Sequence, residues 1–193
     1  MKNSGLRIEN APTRGLGFTD SLGMKYGMVY ITTTIINDTT IPIDLQFAFS
    51  QEYDYPTAYG EEQYNVILLS KEWGLNGVEI TDSMINELPK FIDKPYLDKT
   101  LKPNEECVET IGILRPSRAN LCSASPYAIL EYSDRGNFPL CEWAGNQDQE
   151  SNPSPKAFGA KLALGLQVGF CTVGGQYESC KIIPCGHVSY PEN

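Results

Sequence analysis

The chain reads as all-β: an antiparallel β-sandwich, immunoglobulin-like or jelly-roll-like, with one short helix near residues 82–92. Three observations predict this. Between Ile41 and Ser50 the odd positions (Ile41, Ile43, Leu45, Phe47, Phe49) are all large and apolar, while the even ones are Pro, Asp, Gln, Ala and Ser. Strand side chains alternate faces with a period of two, so this segment buries one face and wets the other. A one-residue slip would put the whole apolar set into water, which pins its register. Second, 17 Gly, 13 Pro and 11 Tyr with only 20% charged residues is the profile of a turn-rich β protein. Third, β-rich runs follow one another without intervening helices, which means antiparallel pairing; a closed barrel is the second architecture the pattern allows.

Taken in order, residues 1–23 are rich in Gly, Asn, Pro and Ser and read as an extended leader with one short edge strand at Leu6-Arg7-Ile8; residues 24–193 read as a single domain. Tyr26 to Ile36 is β-branched and a poor helix. Asn37-Asp38-Thr39-Thr40 supplies turn chemistry, so this run and the alternating one read as an antiparallel hairpin. Gln51 to Tyr64 is expected as a loop, followed by a short strand at Asn65–Leu69. The helix starts at Asp82 or Ser83, either of which can cap it, with Met84, Ile85 and Leu88 on its inner face and Pro89 ending or kinking it. Lys94 to Asn104 reads as a linker. Strands follow at Cys107–Leu114, Tyr127–Tyr132 and Phe138–Trp143. After a polar loop at 144–156, a terminal hairpin runs from Lys161 to Ile183.

Size and charge exclude several classes. A chain of 193 residues buries roughly 70% of its unfolded surface and needs no covalent help to fold. A net charge of −9 with no basic run repels phosphate backbones and anionic lipid, which argues against a nucleic-acid or membrane-surface role. No stretch reaches the roughly 18 apolar residues of a membrane helix. Met1-Lys2-Asn3-Ser4-Gly5 has no apolar signal core, so export would rely on a signal peptide outside this sequence.

The cysteines point to an oxidising compartment. All six lie in the second half, at 107, 122, 141, 171, 180 and 185. A two-residue turn at Gly175-Gln176, with Gly first as a type II′ turn requires, sets Cys171 opposite Cys180. At a non-hydrogen-bonded pair the Cα atoms are about 4.5 Å apart, within disulfide range. A Cys171–Cys180 bridge implies a secreted, periplasmic or surface-anchored protein. The other four have no assignable partners.

Catalytic machinery is sparse. The one histidine, His187, stands near the C-terminus in what reads as a tail, and with Cys180 and Cys185 it gives three soft ligands where a zinc site wants four. No nucleophile elbow, phosphate loop or dinucleotide fingerprint occurs, so no cofactor is called for. Asp54, Glu61, Glu62 and Glu142 are the carboxylates a glycoside hydrolase could use, though acids on loops are usually just solvated. Asn37-Asp38-Thr39 matches an N-glycosylation acceptor. The sharper feature is aromatic: Tyr53, Tyr55, Tyr59 and Tyr64, with Trp73 and Trp143, offer flat rings rimmed by acids and amides. Sugars stack on such surfaces, and protein partners use Tyr and Trp as anchors.

The succession of a Thr/Ile-rich strand, an Asn37-Asp38 turn, an alternating strand and Leu101-Lys102-Pro103-Asn104-Glu105 entering another strand resembles bacterial immunoglobulin-like domains over part of the chain. The expected function is a non-catalytic extracytoplasmic module that binds a glycan or a protein partner through these Tyr/Trp-rich loops. A polysaccharide-acting hydrolase and a structural subunit adding strand edges to a neighbour are the alternatives.

Overall fold

The computed structural model describes residues 5–19, 22–49, 53–57, 60–74, 80–92, 96–116, 127–133, 161–171 and 177–191. In chain order they form β1 (Leu6–Asn10), β2 (Arg14–Thr19), β3 (Lys25–Asn37), β4 (Ile43–Ala48), β5 (Tyr53–Thr57), β6 (Gly60–Leu69), a 3₁₀ turn at Lys71–Gly74, α1 (Asp82–Ile92), β7 (Tyr96–Leu101), β8 (Glu106–Pro116), β9 (Tyr127–Ser133), β10 (Lys161–Cys171) and β11 (Tyr177–Ser189). The strands make two antiparallel sheets. The first has the order β1-β3-β8-β6-β5, with β2 also pairing β3; the second has the order β7-β4-β11-β10-β9. Of the stretch expected as a leader, residues 6–10 and 14–19 pair along β3.

The two sheets share one hydrophobic core. Ile31, Ile35 and Ile111 enter it from the first sheet, and Leu45, Phe47, Leu164 and Leu166 from the second. In β4 the alternation read from the sequence is realised: Ile43, Leu45, Phe47 and the following Phe49 are buried, with Phe47 and Phe49 stacked 5.9 Å apart, while Asp44 and Ala48 are exposed.

A second core lies on the opposite face of the first sheet. Met28, Tyr30, Ile67, Leu69 and Leu114 pack there against Trp73 and against Leu88 of α1. The middle of β3 is therefore buried on both sides, which is why Met28-Val29-Tyr30-Ile31 shows no alternation. α1 covers this face with Leu88 fully and Met84 and Ile85 partly buried. Its cap is neither Asp82 nor Ser83 but Thr81, whose Oγ1 accepts the Met84 N–H at 3.4 Å while its carbonyl accepts Ile85 N–H at 3.1 Å. The helix also runs through Pro89 to Ile92.

β3 and β4 are not a hairpin: the chain crosses from the first sheet to the second between them, returns to the first for β5 and β6, enters the second again at β7 and crosses back between β7 and β8. Asn37 ties the β3–β4 and β7–β8 crossings together. It is 0% exposed. Its Nδ2 donates to Ile41 O at 2.8 Å and Leu101 O at 3.0 Å, and its Oδ1 accepts Thr39 N–H and Oγ1–H. Its backbone donates to Glu105 O and accepts from Asn104 N. A buried amide so fully paired specifies one geometry, and each group left unpaired would cost about 1–3 kcal/mol. The return crossing is a type II-like turn: Glu105 N–H bonds Lys102 O at 2.9 Å, Pro103 fills the first central position and Asn104 the second, with φ 61°.

Two further expectations change. The tyrosine-rich stretch 51–64, read as a loop, contains the β5–β6 hairpin, with Tyr53 opposite Tyr64 and Tyr55 opposite Glu62. The expected linker at 94–104 contains β7, an edge strand.

Candidate functional site

Two of the six aromatic residues singled out as ligand-binding are structural. Tyr64, 3% exposed, sits in the core between the sheets; Trp73, 1% exposed, sits under α1 with its ring edge-on to Tyr30 at 5.9 Å and 81°. Each gains more by filling a core than by facing water. Tyr53 and Tyr55 have their backbone on β5. Tyr59 and Trp143 lie outside the described residues, as does Glu142, and Asp54, Glu61 and Glu62 are placed by backbone alone.

The terminal hairpin forms, but not in the expected register. Cys180 stands opposite Gly169 and Cys171 opposite Tyr177, with an irregularity between Phe170 and Cys171, so the two cysteines do not face each other directly. A register read by counting from the turn fails wherever a strand carries an extra residue. A second irregularity lies between Leu164 and Gly165, where Leu164 pairs Gly186 and Gly165 pairs Pro184, leaving Cys185 as the extra residue. His187 is consequently not in a tail. It stands half-buried on β11, between β4 and β10, opposite Gln46 and Ala163.

Cys107 and Cys185 are free thiols buried in the core between the sheets. Burial raises the Cys107 thiol from 9.0 to about 12, helped by the Glu109 carboxylate to which its Sγ donates at 3.2 Å. Burial raises Cys185 further. A protonated, buried thiol is neither a nucleophile nor a metal ligand. Among the described residues no three His, Cys, Asp or Glu side chains cluster in a way that could hold a metal ion.

What remains is the outer face of the second sheet. Because Ile43, Leu45 and Phe47 point inward, Asp44, Gln46 and Ala48 point outward. Pairing aligns them with β7 and β11 in rows: Asp98–Gln46–His187, and Thr100–Asp44–Ser189, with Tyr96 beside Ala48. Within the rows Gln46 Nε2 donates to Asp98 Oδ1 at 2.8 Å and Thr100 Oγ1 to Asp44 Oδ1 at 2.6 Å. Neighbouring strands are about 4.8 Å apart and like-facing residues about 7 Å apart along each strand. The result is a grid of carboxylate, amide, hydroxyl and imidazole groups, with Tyr96 at its border. Tyr96 stands exposed, at 63%.

Sequence reasoning missed Tyr96 because Lys99 breaks the alternation of Tyr96-Leu97-Asp98-Lys99-Thr100-Leu101 and two prolines flank it. The remaining signal was Leu97 and Leu101, both on the inward parity. Among the described residues no helix is long and apolar enough to cross a membrane. Comparison with known proteins finds no family model, no curated protein and no solved structure that matches this chain.

Proposed function

We propose that this protein is a non-catalytic extracytoplasmic module, a β-sandwich of immunoglobulin-like or jelly-roll-like type, that binds a glycan chain across the outer face of its second sheet. One observation carries the reading: an exposed aromatic ring, Tyr96, borders rows of hydrogen-bonding side chains on the outer sheet face. A sugar ring stacks its apolar face on an aromatic, and its hydroxyls exchange hydrogen bonds with carboxylates and amides. The border ring anchors one unit and Asp98, Gln46 and His187 receive the next.

The alternatives have less support. Asp44 and Asp98 are each engaged by a neighbouring side chain, an arrangement suited to a static contact surface more than to proton transfer. Strand addition by a structural subunit needs an open edge. β7 carries Lys99 on the parity of Leu97 and Leu101, with its Nζ 3.7 Å from Glu105, and β5 carries Pro56, features that blunt these two edges and leave β9 and the β1/β2 side as the others. The extracytoplasmic assignment leans on the cysteine-rich second half and the acidic charge.

A glycan array with the wild-type protein tests the reading, followed by titration of Tyr96→Ala against the best ligand. Binding should weaken at least tenfold, about 1.4 kcal/mol, at an unchanged melting temperature. Full binding by Tyr96→Ala would remove this face from the proposal. Capture of a protein instead, sensitive to the same substitution, would turn it to a protein partner.

A further inference from the structure

Asn37-Asp38-Thr39 has the form of an N-glycosylation acceptor, yet the fold consumes every atom that modification needs. The transfer would join Asn37 Nδ2 to the anomeric carbon of a lipid-pyrophosphate-linked oligosaccharide. The bond from that carbon to the phosphate oxygen breaks, the lipid pyrophosphate leaves with the electron pair, and Nδ2 gives up one proton. In the folded protein both Nδ2 protons are already committed, to Ile41 O at 2.8 Å and Leu101 O at 3.0 Å. The Thr39 hydroxyl lies 2.6 Å from Asn37 Oδ1, and both residues are buried. A glycan on Nδ2 would remove at least one of those bonds and push a large polar group through the two crossings that Asn37 holds together.

We propose that Asn37 is a modification site of the nascent chain alone, at which N-glycosylation and folding are mutually exclusive. A chain modified before β3, β4, β7 and β8 assemble cannot close the junction at Asn37, whereas a chain that folds first is immune. The inference is independent of what the outer sheet face binds. It also narrows the proposed extracytoplasmic setting: the protein folds where no oligosaccharyl transferase meets it, or folds before one does. Enzymatic removal of the glycan does not restore the site, because hydrolysis leaves Asp at position 37, a carboxylate with no protons for the Ile41 and Leu101 carbonyls.

The test uses protein made in a bacterial cytosol, where Asn37 is unmodified. Native protein, urea-unfolded protein and a synthetic peptide spanning residues 33–43 are each given an oligosaccharyl transferase with its lipid-linked donor, and masses are read intact. The peptide and the unfolded chain should each gain one glycan at Asn37, and the native protein none. The modified chain, after dilution from urea, should show no cooperative melting transition, while a mock-treated sample recovers one. Glycan at Asn37 on native protein, or a modified chain that melts like the unmodified one, would overturn the proposal. So would a peptide that takes no glycan.

Discussion

At the residue scale the glycine with least room for a side chain, among those the structure describes, is Gly186. Its φ is +138°, and a Cβ there would overlap the Gln46 carbonyl oxygen and sit 3.0 Å from Phe47 Cα. Both obstacles are β4 backbone, which cannot swing aside as a side chain can, so Gly186→Ala must part β11 from β4 or reshape the bulge at Cys185. We expect a loss of more than about 4 kcal/mol, read as a fall in the urea midpoint or a failure to fold; a variant within 1 kcal/mol of wild type would contradict the geometry. The buried thiols make stability depend on alkaline pH. Their folded values are raised, so between the ordinary 9.0 and about 12 the native state holds protons that the unfolded chain has released, and stability falls as pH rises. The stabilisation is whole below pH 9.0. Urea midpoints should thus be flat from pH 7 to 8.5 and decline above. The decline should be shallower in Cys185→Ala, whose own midpoint is lower throughout because a core atom is lost.

At the element scale α1 offers two changes of opposite sign. Thr81→Ala deletes the cap on Met84 N–H and should cost about 1 kcal/mol. Pro89 sits on the exposed side of the helix interior, seven residues after its start, where it removes one backbone bond. Pro89→Ala should therefore stabilise by up to about 3 kcal/mol. Urea unfolding followed by far-UV dichroism reads both, and a stabilised Thr81→Ala or a destabilised Pro89→Ala would mean that α1 is held by something other than its own ends. The elements also show what a sequence can carry. β4 was legible because only one of its faces is buried, so the period of two is written out from Ile43 to Phe49. β3 was legible as a strand but not in its partners, since burial on both faces erases the alternation that marks a face. β7 was hidden by Lys99, a charge on the parity of Leu97 and Leu101 whose Nζ reaches Glu105. The terminal hairpin was legible as a hairpin, but the extra residue at Cys185 and the irregularity at Phe170–Cys171 leave no trace in composition. Tyr64 and Trp73 carried no mark distinguishing rings that fill cores from rings that face ligands; only the topology sorts them from Tyr96.

At the scale of the molecule, two sheets close on one core and a helix on another, and the first sheet belongs to both. Cys107 on β8 and Cys185 on β11 reach the shared core from opposite sheets, so neither meets solvent unless the sheets part. Their alkylation should track global unfolding, not local fraying. With a thiol reagent at pH 8, native protein should leave these two unmodified for as long as the cooperative transition leaves it folded, and both should react in urea. The other four cysteines carry the question of compartment. Protein purified without reductant from an oxidising compartment should show four or fewer thiols in urea, with Cys107 and Cys185 always among them. Six would remove the support for an extracytoplasmic setting and leave the outer sheet face to be explained inside a cell. Two, with Cys122, Cys141, Cys171 and Cys180 all oxidised, would mean that the second half of the chain is stapled while the core between the sheets holds without a covalent link. Peptide mapping then decides whether Cys171 and Cys180 join across the offset register or take other partners.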